Sequence, residues 1–313
     1  MSAPNSAVAS RAGFMDRPYL ILVLTNLFWG GNVIAGKLAV GHIDAYALML
    51  LRWAGALILL LPFATRQLRT DWPVIRTRWW LYLVYGALGY ATFNVLVYVA
   101  AHFTSGVNTA LEQVAVNIFV LAINFALFRQ RVAALQLLGV VVTITGVALI
   151  ATHGDLTRIL RLDLNFGDLL VLIACLVYAA YSVLLRWKPK TGWLSFLVMT
   201  ISGAILASLV YMQGFGGGIG HFIAELPSFD ATAWGVVAYT IIFPSILSQM
   251  LYVRGVELIG SNRASLFINL IPLFGTLGSV VLLGERFELF HLSAAILIAI
   301  GIVLAEWSAR RVN

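Results

Sequence analysis

Few side chains in this sequence can do chemistry, and most of them are isolated within long apolar runs. Tyr90, Asn94 and Tyr98 recur every four residues, which puts them on one face of a helix. Gln113 and Asn117 repeat that spacing. Trp29 and Asn32 stand three apart, as do Tyr178 and Tyr181. Gln249 follows Pro244 by five residues, and Asn269 precedes Pro272 by three. Arg52 and Glu112 are the charges set within apolar segments. An ionised group in hydrocarbon costs roughly 2.5–3.5 kcal/mol on insertion scales, so each needs a partner or a task. Amides and phenols offer hydrogen bonds, and indole and phenol rings offer apolar walls. Together these groups suit the reversible holding of a small molecule better than bond breaking.

Catalytic patterns are absent. There is no HExxH, no P-loop and no cysteine cluster, and Cys175 is the single cysteine, so no internal disulfide can form. His42, His102, His153, His221 and His291 fall near the ends of apolar segments. Neither an enzyme nor a cofactor or metal is expected. The net charge of +7 comes from basic residues in short connections, where it sets membrane orientation and gives no reason to expect nucleic acid.

The elements that must position these groups are transmembrane helices. Apolar residues make up 61% of the 313 positions and charged ones 11%, against roughly a quarter charged in soluble domains. Ten segments have the length needed to cross a bilayer, near 19–40, 45–65, 79–101, 109–128, 133–152, 166–186, 194–213, 233–253, 264–283 and 291–307. Gly214 to Gly220 reads as a flexible loop between two of them. With the N-terminus inside, fifteen basic residues fall on the cytoplasmic side, against Lys37, Arg158, Arg161 and Arg286 outside. That is a strong positive-inside bias. Trp72, Trp79, Trp80, Trp187, Trp193 and Trp307 then form a belt at the inner face. Both termini are expected to be cytoplasmic, in a cell inner membrane.

The two halves repeat. Residues 262–301 form an apolar span broken by Pro272, a polar hairpin at Gly284-Glu285-Arg286, and a second span containing Gly301. A softer copy runs over 108–146, with Asn117 opposite Pro272, Arg129-Gln130-Arg131 opposite the hairpin, and Gly146 opposite Gly301. Leu27-Phe28-Trp29-Gly30-Gly31 likewise falls on Leu176-Val177-Tyr178-Ala179-Ala180, and Tyr98-Val99 on Tyr252-Val253. Five spans per half make the second half enter the membrane from the other side. Inverted repeats of this kind supply the two near-equivalent conformations of alternating access.

Phe28-Trp29-Gly30, Pro272, Gly284-Glu285-Arg286 and Gly301 carry a resemblance, over about Tyr19 to Trp307, to the drug/metabolite transporter superfamily in its ten-span, EamA-type form. The first half departs from that pattern, with Asn117 for the usual proline and Gln130 for the usual glutamate. The aromatic content and Trp29-Gly30-Gly31-Asn32 resemble most the YddG-type exporters of aromatic and other hydrophobic amino acids.

The fold expected is an all-α membrane protein with ten transmembrane helices in two inverted five-helix repeats. Its parts are a disordered cytoplasmic tail (1–18), a first repeat (19–152), an external linker (153–165), a second repeat (166–307) and a cytoplasmic tail (308–313). Its partners are a small-molecule substrate and the lipid bilayer, as monomer or homodimer. Spans 5 and 10 serve as scaffold. The expected substrate contacts are Trp29, Asn32, Tyr90, Asn94, Tyr98, Gln113, Asn117, Tyr178, Tyr181, Gln249 and Asn269. The expected gates or hinges are Gly30, Gly31, Pro244 and Pro272, and Arg52 with Glu112 form an outer-leaflet charge pair. For the aromatic and amide groups, core packing is the competing reading; for the charge pair, the alternatives are an ion pair and a hold on a zwitterion. The resemblance implies export of small neutral, aromatic or hydrophobic amino acids; with Glu112 the only candidate carboxylate, no mid-membrane proton relay is expected. Another metabolite or drug on the same fold, or a receptor or scaffold, are the rivals.

Overall fold

The computed structural model describes residues 13–100, 103–104, 109, 112–130, 132–161, 165–284 and 286–312. Expectations placed on residues 1–12, His102, Arg131 and Glu285, and on the Tyr98 side chain, lie outside the described residues. Among those described, every regular element is helical.

Apolar helices cross the molecule as span 1 (Pro18–Ala39), span 5 (Ala134–Ala151), span 6 (Phe166–Trp187), span 7 (Trp193–Phe215), span 8 (Ala231–Ile259), span 9 (Ser261–Leu282) and span 10 (Leu289–Ser308). A further stretch, Ala45–Val97, holds 53 residues, which at 1.5 Å per residue is roughly 80 Å of helix, more than twice the ~30 Å hydrocarbon core. It folds back at Arg78, whose φ of −131° leaves the helical region. Span 7 shows the reversal. Asp71 accepts from Gly192 N–H and the Tyr82 hydroxyl donates to Thr191, while Tyr46 packs at Gly216 and Thr92 bonds Tyr211. The stretch is therefore spans 2 and 3, antiparallel to each other. Span 4 is Ala115–Phe128, giving ten among the described residues.

Local sequence sets the ends. Asp44 caps span 2 by accepting from the N–H groups of Tyr46 and Ala47, and Asn165 with Asp168 forms a capping box on span 6, satisfying donors a helix start leaves open. The tails differ from expectation. Phe14–Asp16 forms a short 3-10 turn, held where Arg254 reaches Asp16 and the Met15 carbonyl. The last helix runs on to Val312, past the boundary at 308, and Leu156–Arg161 within the linker is a 3-10 helix. The glycine-rich stretch is a turn with left-handed Gly217, followed by a short helix, Gly218–Glu225.

The halves match in backbone detail. Span 4 has a 14-residue helix, Ala115–Phe128, and span 9 a 14-residue helix, Leu270–Leu283; their residue numbers differ by 155. Each ends on a left-handed residue, Arg129 (φ 55°) and Gly284 (φ 72°). Spans 3 and 8 each contain a seven-residue π-helical segment, Gly86–Thr92 and Ile241–Leu247, again 155 apart. Phe93 N–H reaches Leu88 O in one, and Ser248 N–H reaches Phe243 O in the other.

Spans 5 and 10 pack together away from the site. A Cβ on Gly139 would lie 2.6 Å from the Gly301 carbonyl, and one on Gly301 2.5 Å from the Gly139 carbonyl. Reciprocal glycines bring the two backbones into contact, the small-residue packing used between helices in lipid.

Candidate functional site: a cavity between the two halves

A cavity of about 430 Å³ lies between spans 1, 2, 3, 4, 6, 8 and 9, within the few-hundred Å³ range of small-molecule sites. It reaches Thr104 and Thr109, in the connection between spans 3 and 4. Trp29, Asn32, Arg52, Asn94, Gln113, Tyr178, Gln249 and Pro272 of the expected set all line it. Matched positions of the two halves line it together: Asn94 and Gln249, Gln113 and Ile268, and Val116 and Ile271, each pair 155 apart.

The walls follow from the breaks in the helices. The π segment of span 8 places Ser245 one turn before Gln249, and Arg52 Nε donates to Ser245 Oγ at 2.8 Å. A guanidinium has five N–H donors in a planar fork, so this bond fixes its orientation while others serve elsewhere. Gln249 is 4% exposed, and its Oε1 has no hydrogen-bond partner among the described residues. An acceptor left unpaired in a buried site costs about 1–3 kcal/mol; Oε1 itself has almost no accessible surface, so a bound molecule's donor reaches it when the Gln249 side chain turns toward the cavity. Asn94 spends its amide N–H on the Tyr90 carbonyl, 2.6 Å away.

The floor is aromatic. Trp29 meets Tyr252 at 5.2 Å and Tyr178 edge-on at 6.1 Å, and Phe93 meets Tyr178 at 5.1 Å. Such pairs prefer tilted or edge-on contacts, so the rings interlock. Beyond them, Tyr252 shares a hydrogen bond of 2.9 Å with Ser182.

Several expected contacts are elsewhere. Tyr90, Tyr181 and Asn117 are wholly buried and Asn269 is 2% exposed, all outside the cavity wall. Tyr90 stacks on Trp53 at 4.8 Å, and Tyr181 lies under Gly89, where a Cβ would come within 2.4 Å of its ring. These rings are packing elements of the floor. The amide of Asn117 and Nδ2 of Asn269 have no partners among the described residues.

Arg52 and Glu112 do not make the expected charge pair. Arg52 turns to Ser245 on span 8, while Glu112 lies against Asp168 at the start of span 6, where its backbone carbonyl accepts from the Cys175 thiol. The two face different neighbours because span 4 begins as a turn before Ala115, which directs Gln113 and not Glu112 toward the cavity. Gly30 and Gly31, expected as a gate or hinge, lie within an unbroken span 1 helix. A Cβ on Gly30 would meet Phe274 at 2.6 Å, and one on Gly31 the Tyr239 hydroxyl, which donates to Phe28 O. These glycines admit neighbours. Pro244 sits in its π segment. Pro272 lies in the first turn of Leu270–Leu283, after a 3-10 stretch, Ser265–Asn269, where its missing N–H costs little.

Phe93, Ser245 and Tyr252 belong to the site without having been expected there. Tyr252 was signalled by its match to Tyr98 and its position three residues after Gln249. Ser245 carried no signal beyond lying next to Pro244.

The EamA-like transporter family pattern matches this sequence twice, over residues 17–152 and 165–307, the two halves that meet at the cavity. The chain belongs to the EamA-like transporter family. This family member is 27% identical to the uncharacterized transporter YyaM of Bacillus subtilis (strain 168), over 92% of this chain and 93% of that one. It is 23% identical to an uncharacterized transporter of Archaeoglobus fulgidus, over 92% and 97%. A solved crystal structure, 16% identical, superposes with a TM-score of 0.75 over 95% of this chain and 98% of the other, which bears on the fold alone. As an EamA-family protein it is a multi-pass membrane transporter of a small molecule.

Proposed function

We propose that this transporter exports small neutral amino acids with aromatic or hydrophobic side chains by alternating access. The observation that carries the reading is that one cavity is lined both by Arg52, whose guanidinium Ser245 orients, and by Gln249, whose carbonyl oxygen has no partner among the described residues. A carboxylate fits the first, and an ammonium donates to the second. The apolar side chain then rests among Trp29, Phe93, Tyr178, Ile268 and Ile271. The aromatic floor also favours an ammonium through its ring faces.

The face carrying Arg66, Arg76, Arg186, Lys188, Lys190, Arg254 and Arg263 is the cytoplasmic one on the positive-inside rule, which puts both termini inside. Five spans in each half invert the second relative to the first, and matched breaks in spans 3 and 8 give both halves the same places to bend. The cavity lies on the far side of the aromatic floor from the basic face, an arrangement open toward the exterior. No Asp or Glu lines the cavity among the described residues, which supports export without a carboxylate relay at mid-depth, down the substrate gradient.

The test is uptake of labelled phenylalanine, methionine and threonine into proteoliposomes, with and without a pH gradient. Transport of at least one, insensitive to the gradient, is expected. Transport of none would sink the amino-acid assignment, and a strict dependence on the gradient would sink the absence of a proton relay.

A further inference from the structure

A second cavity, of about 490 Å³, opens on the basic face between spans 4, 6, 8 and 9. Four cations line it, with Glu257 as the one carboxylate among its described lining residues. Two of the four are neutralised. Lys188 pairs with Glu257 at 2.9 Å, and Arg263 pairs with Glu306 and also donates to the Tyr19 hydroxyl. Arg186 and Lys190 have no ion pair or side-chain hydrogen bond among the described residues. The Arg186 guanidinium is held in place over the Phe128 ring, 4.2 Å from its centre.

We infer that this vestibule is a loading site for the carboxylate of the transported molecule, bound by Arg186 and Lys190. Its depth leads to the transport path. Ser182 in its wall bonds Tyr252, and Tyr252 packs on Trp29 and Tyr178, which line the central cavity. One aromatic layer thus separates Arg186 and Lys190 from Arg52. Cations stand at both ends of that layer, and the vestibule carboxylate is committed to Lys188 and to Arg254 at 3.4 Å. A cargo bearing a carboxylate finds a partner at each station; a cargo bearing only an ammonium finds none in the vestibule. A basic inner face alone is what topology requires. What exceeds that requirement is that the two cations left unpaired among the described residues line one cavity whose other cations are neutralised. The inference rests on the central cavity being the transport site, but it does not require that the cargo be an amino acid.

The test places a reporter in the vestibule. Ser261, in its wall, is replaced by the near-isosteric Ser261→Cys in a full-length Cys175→Ala background, and its alkylation by a membrane-impermeant maleimide is timed. Saturating 3-phenylpropionate should slow alkylation, whereas phenethylamine should not. Arg186→Gln with Lys190→Gln should weaken protection by about ten-fold in half-saturating concentration, as loss of charge-assisted hydrogen bonds predicts. Arg186→Lys should retain most of it, and Arg52→Gln should leave it in place. Equal protection by phenethylamine would overturn the proposal. So would protection that survives the double substitution but is lost in Arg52→Gln, since that would place binding in the central cavity. Slowing by phosphatidylglycerol nanodiscs relative to phosphatidylcholine, with no further effect of 3-phenylpropionate, would assign the cations to a lipid phosphate and overturn it as well. If phenylalanine is not transported while protection by 3-phenylpropionate behaves as described, the amino-acid reading fails and the loading site stands.

Discussion

Span 3 is interrupted around Gly89 and span 8 around Pro244, two positions 155 residues apart that occupy the same place in the two π segments. The causes differ. Proline lacks the N–H for the regular bond and clashes with the preceding turn. Gly89 instead lets the Tyr181 ring lie against the backbone, and a Cβ on Gly86 would sit 2.0 Å from the Thr200 carbonyl of span 7. One break is caused within its own helix, the other by neighbours that press on it. The backbone outcome is shared, and the side chains it aims at the cavity, Asn94 and Gln249, are of one chemical type. Short π segments inside α-helices occur frequently at functional sites. Here their pairing shows that the geometry is kept while the residues that produce it are free to change.

Substitutions can break or sharpen this comparison. The guanidinium of the cavity comes from the first half only, so Arg52→Gln should lower transport by about 100-fold, the loss of a charged hydrogen-bonding partner of roughly 1.5–3 kcal/mol. Arg52→Lys should restore only part, because a point charge cannot bond Ser245 and a carboxylate in one plane. Wild-type rates for Arg52→Gln in proteoliposomes would remove the cation from the site. Next in size, Gly89→Ala should cost about 1–3 kcal/mol through overpacking against Tyr181, read as a lower melting temperature in detergent. Pro244→Ala should cost less than Gly89→Ala at the same matched position. Equal losses would mean that both breaks have the same cause.

A smaller contrast is expected between Asn94→Ala and Gln249→Ala. Both should reduce transport with expression intact, Gln249→Ala by about ten-fold and Asn94→Ala by less, since the Asn94 amide already bonds the Tyr90 carbonyl. The reverse order in initial-rate assays would move the polar contact to the first half. Smallest of all, Arg129→Gly should stabilise the protein by up to ~1 kcal/mol, because a left-handed residue with a Cβ is strained where its counterpart Gly284 is not. No gain in melting temperature would show that Arg129 recovers the strain through its side chain.

These contrasts also explain what could be read from the residues. Ten spans were legible because burial in lipid demands long apolar runs, and the repeat was legible because Pro272, Gly284 and Gly301 punctuate it. The wall residues Trp29, Asn32, Asn94, Gln113, Tyr178 and Gln249 stood out as polar or large aromatic groups in apolar surroundings. The same criterion also picked Tyr90, Tyr181, Asn117 and Asn269, because type and spacing do not say which side of a helix a break will turn to the cavity. The π segment at Gly89 has no proline, and nothing in its own sequence marks it. Glu112 was mispaired for a related reason: the unwound start of span 4 shifts its facing by a turn that regular helical spacing does not include.

Spans 5 and 10 meet backbone to backbone at Gly139 and Gly301, and no residue of either lines the cavity. Their outward residues, such as Leu138, Val141, Ile300 and Val303, are exposed on the surface, where a bilayer would cover them. Those positions are free to adapt to a thicker or thinner membrane without altering what the cavity recognises. A change of host lipid and a change of cargo are, for this protein, separable evolutionary problems.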